Sequence, residues 1–365
     1  MHPLSGADLA TLSTVFRLGG PVAPEHRGTA RAVWASVLGR LPFSLAERAW
    51  MAIRAPATIP PPVFIVGHWR SGTTHLYQMM VEAGFGFVPP AATGLPWDLL
   101  LLARLAEKQI AANLPKDRFI DKVPVKLDSP QEDEVGMANM TAQSLYHGLY
   151  FPSRLREFVA EGVFLDNVPP HAVARWEQRF QYLMTKLHLH QGGRRLLIKN
   201  PTYTARVAQL ARLYPQAVFI HIHRNPVDVI VSMRNFYAKL LKQFALQDYA
   251  TAPVEDVIFE TYARMMAAVL NDGAALPPER FQTIRYDDFS ADPMGTVERV
   301  WTPLRLDRHG IGPFSQHAPR FQAYLDAQKS FEVNRFHKDA TVAQDIYARL
   351  ATSFARLGYP QPDVG

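Results

Sequence analysis

The chain has 365 residues (41.1 kDa), with 39 Lys plus Arg against 33 Asp plus Glu, so 39 − 33 gives a formal charge of +6. Its 48% hydrophobic and 20% charged residues are the proportions of a globular protein and exclude wholesale disorder. With no cysteine in the chain, disulfides, zinc–thiolate sites, iron–sulfur clusters and thiol nucleophiles are excluded as well.

Met1 to Val15 lacks the basic start of a secretory signal, and no run of about 18 apolar residues follows anywhere. The expectation is a cytoplasmic protein, peripheral at a membrane at most. The mild basicity suits an anionic ligand or surface, and no nucleic-acid-binding signature accompanies it. Arg27 to Ala55 reads as one or two amphipathic helices. Trp34, Val37, Leu38 and Leu41 recur at helical spacing, with Arg31 and Arg40 on other faces. We expect this helical extension, residues 1–60, to pack on the main domain through that apolar face. The alternative is a basic interfacial helix that touches a membrane.

Pro56, Pro60, Pro61 and Pro62 end the extension and open a domain over 61–365. Val63 to Val66 is a continuous apolar run, the pattern of a strand buried on both faces. A loop, Gly67 to Gly72, and a helix from Thr73 follow it. The unit recurs: strand 196–198, a helix carrying Val207 and Leu210, strand 217–223, then a helix capped by Asn225 with Pro226 at its first position. A third instance is strand 281–286 with a helix from Pro293. Strands alternating with helices predict an α/β fold with a central parallel sheet flanked by helices. Leu95 to His190 reads as helix and loop, the bulk of a helical cap spanning about 85–190 over the carboxyl edge of the sheet, where ligands of such sheets bind.

Gly67-x-x-x-x-Gly72 between a buried strand and a helix is a phosphate cradle by geometry: backbone N–H groups turn inward and the helix start adds partial positive charge. The nucleotide-triphosphatase version of this loop has Lys after the second glycine and an acidic strand end that holds magnesium. Here Thr73 takes the lysine position, the cation has moved to Arg70, and no predicted strand ends in Asp. A sulfuryl group carries less charge than a triphosphate and can be managed by Arg and Lys alone. The loop therefore suits a metal-free phosphosulfate better than ATP.

Phe64 to Thr74 resembles the 5′-phosphosulfate loop of sulfotransferases that use 3′-phosphoadenosine 5′-phosphosulfate (PAPS). His223 to Ser232, with Arg224 at the strand end and Ser232 eight residues on, resembles their 3′-phosphate motif. The resemblance implies the P-loop NTPase-like sulfotransferase fold and PAPS as donor, without a metal. It implies that Arg70, Ser71, Gly72, Thr73 and Thr74 hold the phosphosulfate and that Arg224 and Ser232 hold the 3′-phosphate. Leu197 to Pro201 is similar to a segment whose lysine reaches the bridging oxygen, so Lys199 and Arg70 would stabilise the departing 3′-phosphoadenosine 5′-phosphate (PAP). Arg285 to Phe289 resembles a segment whose tyrosine lies against adenine, which assigns Tyr286. Arg335, in a basic stretch near the C-terminus, is a candidate second 3′-phosphate contact. His75 stands where cytosolic members carry an adenine-facing tryptophan, a departure from the family pattern.

Sulfuryl transfer to a hydroxyl needs a base. The segment Gln131-Glu132-Asp133-Glu134 resembles an acidic stretch of bacterial sulfotransferases, and its clustered carboxylates raise one another's pKa. Glu134 or Glu132 is the expected base, with Asp98 as the outsider. His68 is expected to shape the loop. His188 and His190 alternate like a strand or loop edge. The expected activity is sulfuryl transfer from PAPS to the hydroxyl or amine of a small-molecule acceptor. Apolar residues around Trp97, Tyr146 and Phe151 read either as core or as the lining for a hydrophobic or lipid-like alcohol, and a carbohydrate stays open. The rivals are a magnesium-dependent small-molecule kinase and a non-catalytic PAP-binding protein. Nothing in the sequence specifies an oligomeric state.

Overall fold

The computed structural model describes residues 2–106, 108, 112, 126–328 and 339–362. Its principal elements run α1 (Leu9–Gly19), α2 (Arg27–Arg54), β1 (Val63–Val66), α3 (Thr73–Val81), α4 (Glu134–Ala138), α5 (Tyr146–Tyr150) and α6 (Pro170–His190). They continue as β2 (Leu197–Lys199), α7 (Val207–Leu213), β3 (Val218–His223), α8 (Pro226–Phe244), α9 (Val254–Ala274), β4 (Phe281–Arg285), α10 (Pro293–Trp301), α11 (Phe314–Gln328) and α12 (Ala340–Leu357). The chain divides into two compact units. Residues 1–59, 87–193 and 237–254 form one, and 60–86, 194–236 and 255–365 form the other.

The second unit carries the sheet. Its four strands are parallel in the order β2-β1-β3-β4, with Phe64 opposite both Ile198 and Phe219, and His223 opposite Arg285. Every residue of β1, β2 and β3 is buried, which accounts for the unbroken apolar run of β1 and the mostly apolar β2 and β3, where Lys199, His221 and His223 are the polar exceptions. From β1 the chain passes to β2 on one side, and from β3 it passes to β4 on the other. The crevice at the carboxyl ends of β1 and β3 is therefore the topological switch point, where open α/β sheets take their ligands. The predicted strands are found within a residue of their expected ends. The exception in kind is Tyr286, which begins a short helix (Tyr286–Ala291) instead of closing β4.

The first unit is helical, with no strand among its described residues, and α2 is one helix of 28 residues. Its buried face is Val33, Val37, Arg40, Ser44, Glu47 and Met51. The expected face is met at Val37, with Trp34 and Leu41 half-buried, and is corrected at Leu38, which is 55% exposed, and at Arg40, which points inward. The apolar periodicity misleads because the helix buries its charges in ion pairs. Arg40 pairs with Asp98 and donates to the carbonyl oxygens of Ser5 and Ala7, at 2.8 and 2.7 Å from one nitrogen. Glu47 lies 2.5 Å from Nζ of Lys186 and accepts from the backbone N–H groups of Leu100 and Leu101 at 3.0 and 2.8 Å. Both Glu47 and Lys186 are fully buried, a condition that such groups tolerate only when paired and hydrogen-bonded. His188 and His190 end α6, so the strand or loop edge expected there is a helix terminus. No described helix is long and apolar enough to cross a membrane.

Several histidines are buried as neutral imidazoles. Burial pushes His221 down to about 3, and His68, His223, His147 and His2 to about 4. Both ring nitrogens of His221 lack a hydrogen-bond partner among the described residues. In the unfolded chain these groups take up protons near pH 6.5, so the unfolded state gains protons first as the pH falls. Stability should be complete above that pH. Below it, stability should fall by roughly 1.4 kcal/mol per pH unit for each histidine until the folded-state value is reached. Thermal melts between about pH 8 and pH 5 should show this decline. His221→Leu, which removes two unpaired nitrogens from the core, should melt higher than wild type at the acid end and with a shallower pH dependence.

Candidate active site

The loop after β1 is shaped by contacts that leave almost no freedom at its two glycines. Gly67 has φ +151°, and a Cβ there would stand 2.2 Å from the carbonyl oxygen of Ile222 on β3. Its N–H donates to Oγ1 of Thr204 at 2.7 Å. Ser71 Oγ lies 2.6 Å from the carbonyl of His68 and 3.2 Å from that of Ile222, which pins the loop to the end of β3. Gly72 has φ +92°, and a Cβ there would lie 2.4 Å from the Tyr286 ring. Arg70 also adopts a left-handed backbone, φ +70°, a conformation that costs a non-glycine residue on the order of 1 kcal/mol and that collects at functional sites. Beyond Gly72, α3 opens at Thr73 with its first N–H groups directed at the loop.

The expected nucleotide-binding residues of the sheet unit converge on this loop. Arg70 Nε donates to Ser232 Oγ at 2.8 Å, which joins the two phosphate motifs directly although they are 162 positions apart. Lys199 ends β2 opposite Ile65, is buried, and donates from Nζ to Thr74 Oγ1 at 3.3 Å. Arg224 leaves β3 with Nε donating to Asp228 Oδ2 at 3.2 Å, and its guanidinium lies 4.5 Å from the Tyr286 ring centroid. Neither of its terminal nitrogens has a hydrogen-bond partner among the described residues, so both are available to a forked contact with an anion. Asn225 accepts from Val227 N–H at 2.9 Å, the cap expected for α8. A cradle that excludes Cβ, a helix start, two arginines, a buried lysine and a hydroxyl make a donor set for two separate anionic groups.

Residues 61–310 match the sulfotransferase family. The chain belongs to that family. It is 29% identical over 306 residues to an omega-hydroxy-beta-dihydromenaquinone-9 sulfotransferase, Stf3, of Mycobacterium bovis, covering 83% of this chain and 77% of the relative. The Mycobacterium tuberculosis Stf3 matches to the same extent. Among solved structures, sulfotransferase STF9 from Mycobacterium avium superposes with a TM-score of 0.72 at 16% identity, covering 98% of this chain and 94% of the other. STF1 from Mycobacterium tuberculosis superposes with a TM-score of 0.56 at 16% identity, covering 94% and 91%. At these identities the structural likeness supports the fold.

The acidic segment of this sulfotransferase lies in the helical unit. Glu134 is the first residue of α4 and is buried, whereas Glu132 is half-buried in the preceding loop. Ser144 Oγ donates to Glu134 Oε1 at 2.7 Å, which fixes the orientation of that carboxylate. Asp98 is corrected as a base: it is fully buried, paired with Arg40, and accepts from Ser44 Oγ at 2.5 Å, so its lone pairs are engaged. His68 is buried, hydrogen-bonded to the Trp69 carbonyl at 3.0 Å and held neutral, as suits a residue that shapes the loop. His75 Nδ1 lies 3.0 Å from the Tyr324 hydroxyl and its ring 5.1 Å from that of Phe289, so the departing position sits in an aromatic cluster. Arg335 lies outside the described residues. Trp97, Tyr146 and Phe151 are all buried, in favour of the core reading of those side chains.

Three contributors escape sequence reasoning. Asp228 was detectable, because an acid in the first turn of the helix four residues after Arg224 is placed to pair with it. Thr204 and Ser144 carry no local signal, since their partners are 137 and 10 positions away through loops. The close approach at Gly72 is directly testable. Gly72→Ala should lower stability by about 1–3 kcal/mol, because the methyl meets the Tyr286 ring and the backbone is left-handed. Adding Tyr286→Ala should recover the part due to the ring, as read from melts of the single and double variants.

Proposed function

We propose that this sulfotransferase transfers the sulfuryl group of PAPS to the hydroxyl of an apolar, lipid-like small molecule, with Glu134 as the base. The observation that carries the nucleotide assignment is the Arg70–Ser232 hydrogen bond, which brings the 5′- and 3′-phosphate motifs to one place. PAPS would supply an activated sulfuryl group on its 5′-phosphate. Arg70, the loop N–H groups of Ser71 to Thr74 and Lys199 would hold that end, and Arg224 with Ser232 would hold the 3′-phosphate. Asp228 and the Tyr286 ring keep the Arg224 guanidinium in one orientation, so less side-chain entropy is lost on binding.

The base takes the acceptor's proton as the acceptor oxygen forms its bond to sulfur. The sulfur–oxygen bond to the 5′-phosphate breaks in the same displacement, and the electron pair leaves with PAP. Lys199 and Arg70 stabilise the negative charge that grows on that phosphate, the term that is usually largest in such sites. Lys and Arg suffice for that charge, so the reaction proceeds without a divalent metal. Glu134 is favoured over Glu132 because it is buried and its carboxylate is oriented by Ser144. The lipid-like acceptor is supported by the relative whose name specifies a hydroxylated menaquinone. Family membership sets the kinase alternative aside.

Titration calorimetry in EDTA tests the nucleotide assignment. PAP should bind, and Arg224→Ala should weaken PAP by about tenfold or more while leaving ADP, which lacks the 3′-phosphate, unchanged. Equal affinity for PAP and ADP, or the same loss for both in the variant, refutes the assignment of Arg224. Assays with hydroxylated quinone or prenyl alcohol acceptors test the base. Glu134→Gln should lower kcat by about 10²–10⁴ with PAP affinity retained, and Glu132→Gln should lower it by less than about tenfold. Tight PAP binding with no turnover on any acceptor would favour the non-catalytic reading.

A further inference from the structure

Among the described residues the outer face of α2 has no partner in its own unit, and its chemistry is unusual for a water-facing surface. Ile53 is 82% exposed, Leu38 55% and Leu45 53%, and Phe43 and Trp50 are each more than one-third exposed. Between Ala35 and Ile53 every other exposed residue is Ala, Gly or Pro. Within this stretch the usual order is reversed in part: Arg40 and Glu47 are inside with Val37 and Met51, and five large apolar side chains remain outside. Glu47, its single acidic residue, is buried against Lys186, and Arg40 is buried against Asp98. Arg48, the one basic side chain partly accessible within this stretch, is held by Asp8 at 2.8 Å and lies over Trp97. The exposed charges of the helix are Arg27 and Arg31 before the apolar stretch and Arg54 just after it.

We infer that this face is a docking surface for the interfacial region of an anionic lipid bilayer. A helix of 28 residues, roughly 42 Å long, lies flat with its apolar side chains at the level of the acyl chains. Arg27, Arg31 and Arg54 then reach lipid phosphates from both ends, and the Trp50 indole sits at the depth such rings prefer. The charge pattern favours lipid over a second copy of the chain. Two such helices packed antiparallel would bring Arg54 of one against Arg27 and Arg31 of the other, with no exposed carboxylate on either helix to pair them. The inference rests on α2 alone and is independent of the acceptor proposed above.

Vesicle flotation of the full-length protein tests it. Wild type should float with phosphatidylcholine vesicles containing phosphatidylglycerol, and far less with phosphatidylcholine alone or at high salt. A variant carrying Leu38→Glu, Leu45→Glu and Ile53→Glu should lose roughly tenfold or more of its partitioning. A second variant with Arg27→Gln, Arg31→Gln and Arg54→Gln should lose the preference for anionic lipid. Melting and PAP titration in solution establish that both variants are folded, and they separate failure of this inference from failure of the nucleotide assignment. Binding to neither vesicle, or binding unchanged in the glutamate variant, overturns the inference. So does a solution dimer that the same glutamates dissociate, which would assign the face to a second copy.

Discussion

One backbone carbonyl, that of Ile222, organises the nucleotide half of this protein. It lies on β3 beside β1, where Gly67 must come so close that no side chain is allowed, and where Ser71 reaches it with its hydroxyl. The phosphate loop is thereby fastened to the strand whose next turn carries Arg224. The two motifs proposed to bind the phosphates, far apart in the chain, are then held at a distance set by neighbouring strands, about 4.8 Å in any sheet. Arg70, in its left-handed conformation, extends this link by donating to Ser232 within α8. The strain at Arg70 and the lost freedom at Gly67 and Gly72 are the local cost of that geometry.

The helical unit solves a different electrostatic problem. Its ions are turned inward in pairs: Arg40 with Asp98, and Glu47 with Lys186 and two backbone N–H groups. Buried ion pairs of this kind contribute little net stability against apolar replacements, but breaking one leaves an uncompensated charge, so they specify a single register for α2 against its neighbours. Once the polar residues of α2 are committed inside, its outer surface is left with apolar and small residues and terminal arginines. Interior electrostatics and surface chemistry are thus two sides of one choice of helix phase.

The same choice explains where the sequence was legible. Strand β1 was readable because burial on both faces demands a continuous apolar run, and β2 and β3 because their apolar residues stand between turn signals. The loop and the Arg224-to-Ser232 spacing stood out because phosphate binding, where it occurs, imposes residue types at fixed offsets. Tyr286 was found as a residue, but its packing against Gly72 and beneath Arg224 belongs to the fold. The phase of α2 was read correctly at Val37 but not at Leu38 and Arg40, because apolar periodicity assumes that charges face water, and here Asp98 and Lys186 wait inside to pair with them. Asp98 looked like an acid available for chemistry because nothing in its own neighbourhood announces Arg40, which lies 58 positions away.

Fold class was legible in the sequence, and the family through the resemblance of two short segments, because a strand–loop–helix cradle and the Arg224-to-Ser232 spacing are each local patterns of about ten residues. Tertiary structure alone decided which side chains meet: Arg70 with Ser232, Lys199 with Thr74, Glu134 with Ser144. It also decided which face of α2 is outside. Those outcomes depend on pairings between distant segments, where a buried charge is stable only if its partner arrives from elsewhere in the chain.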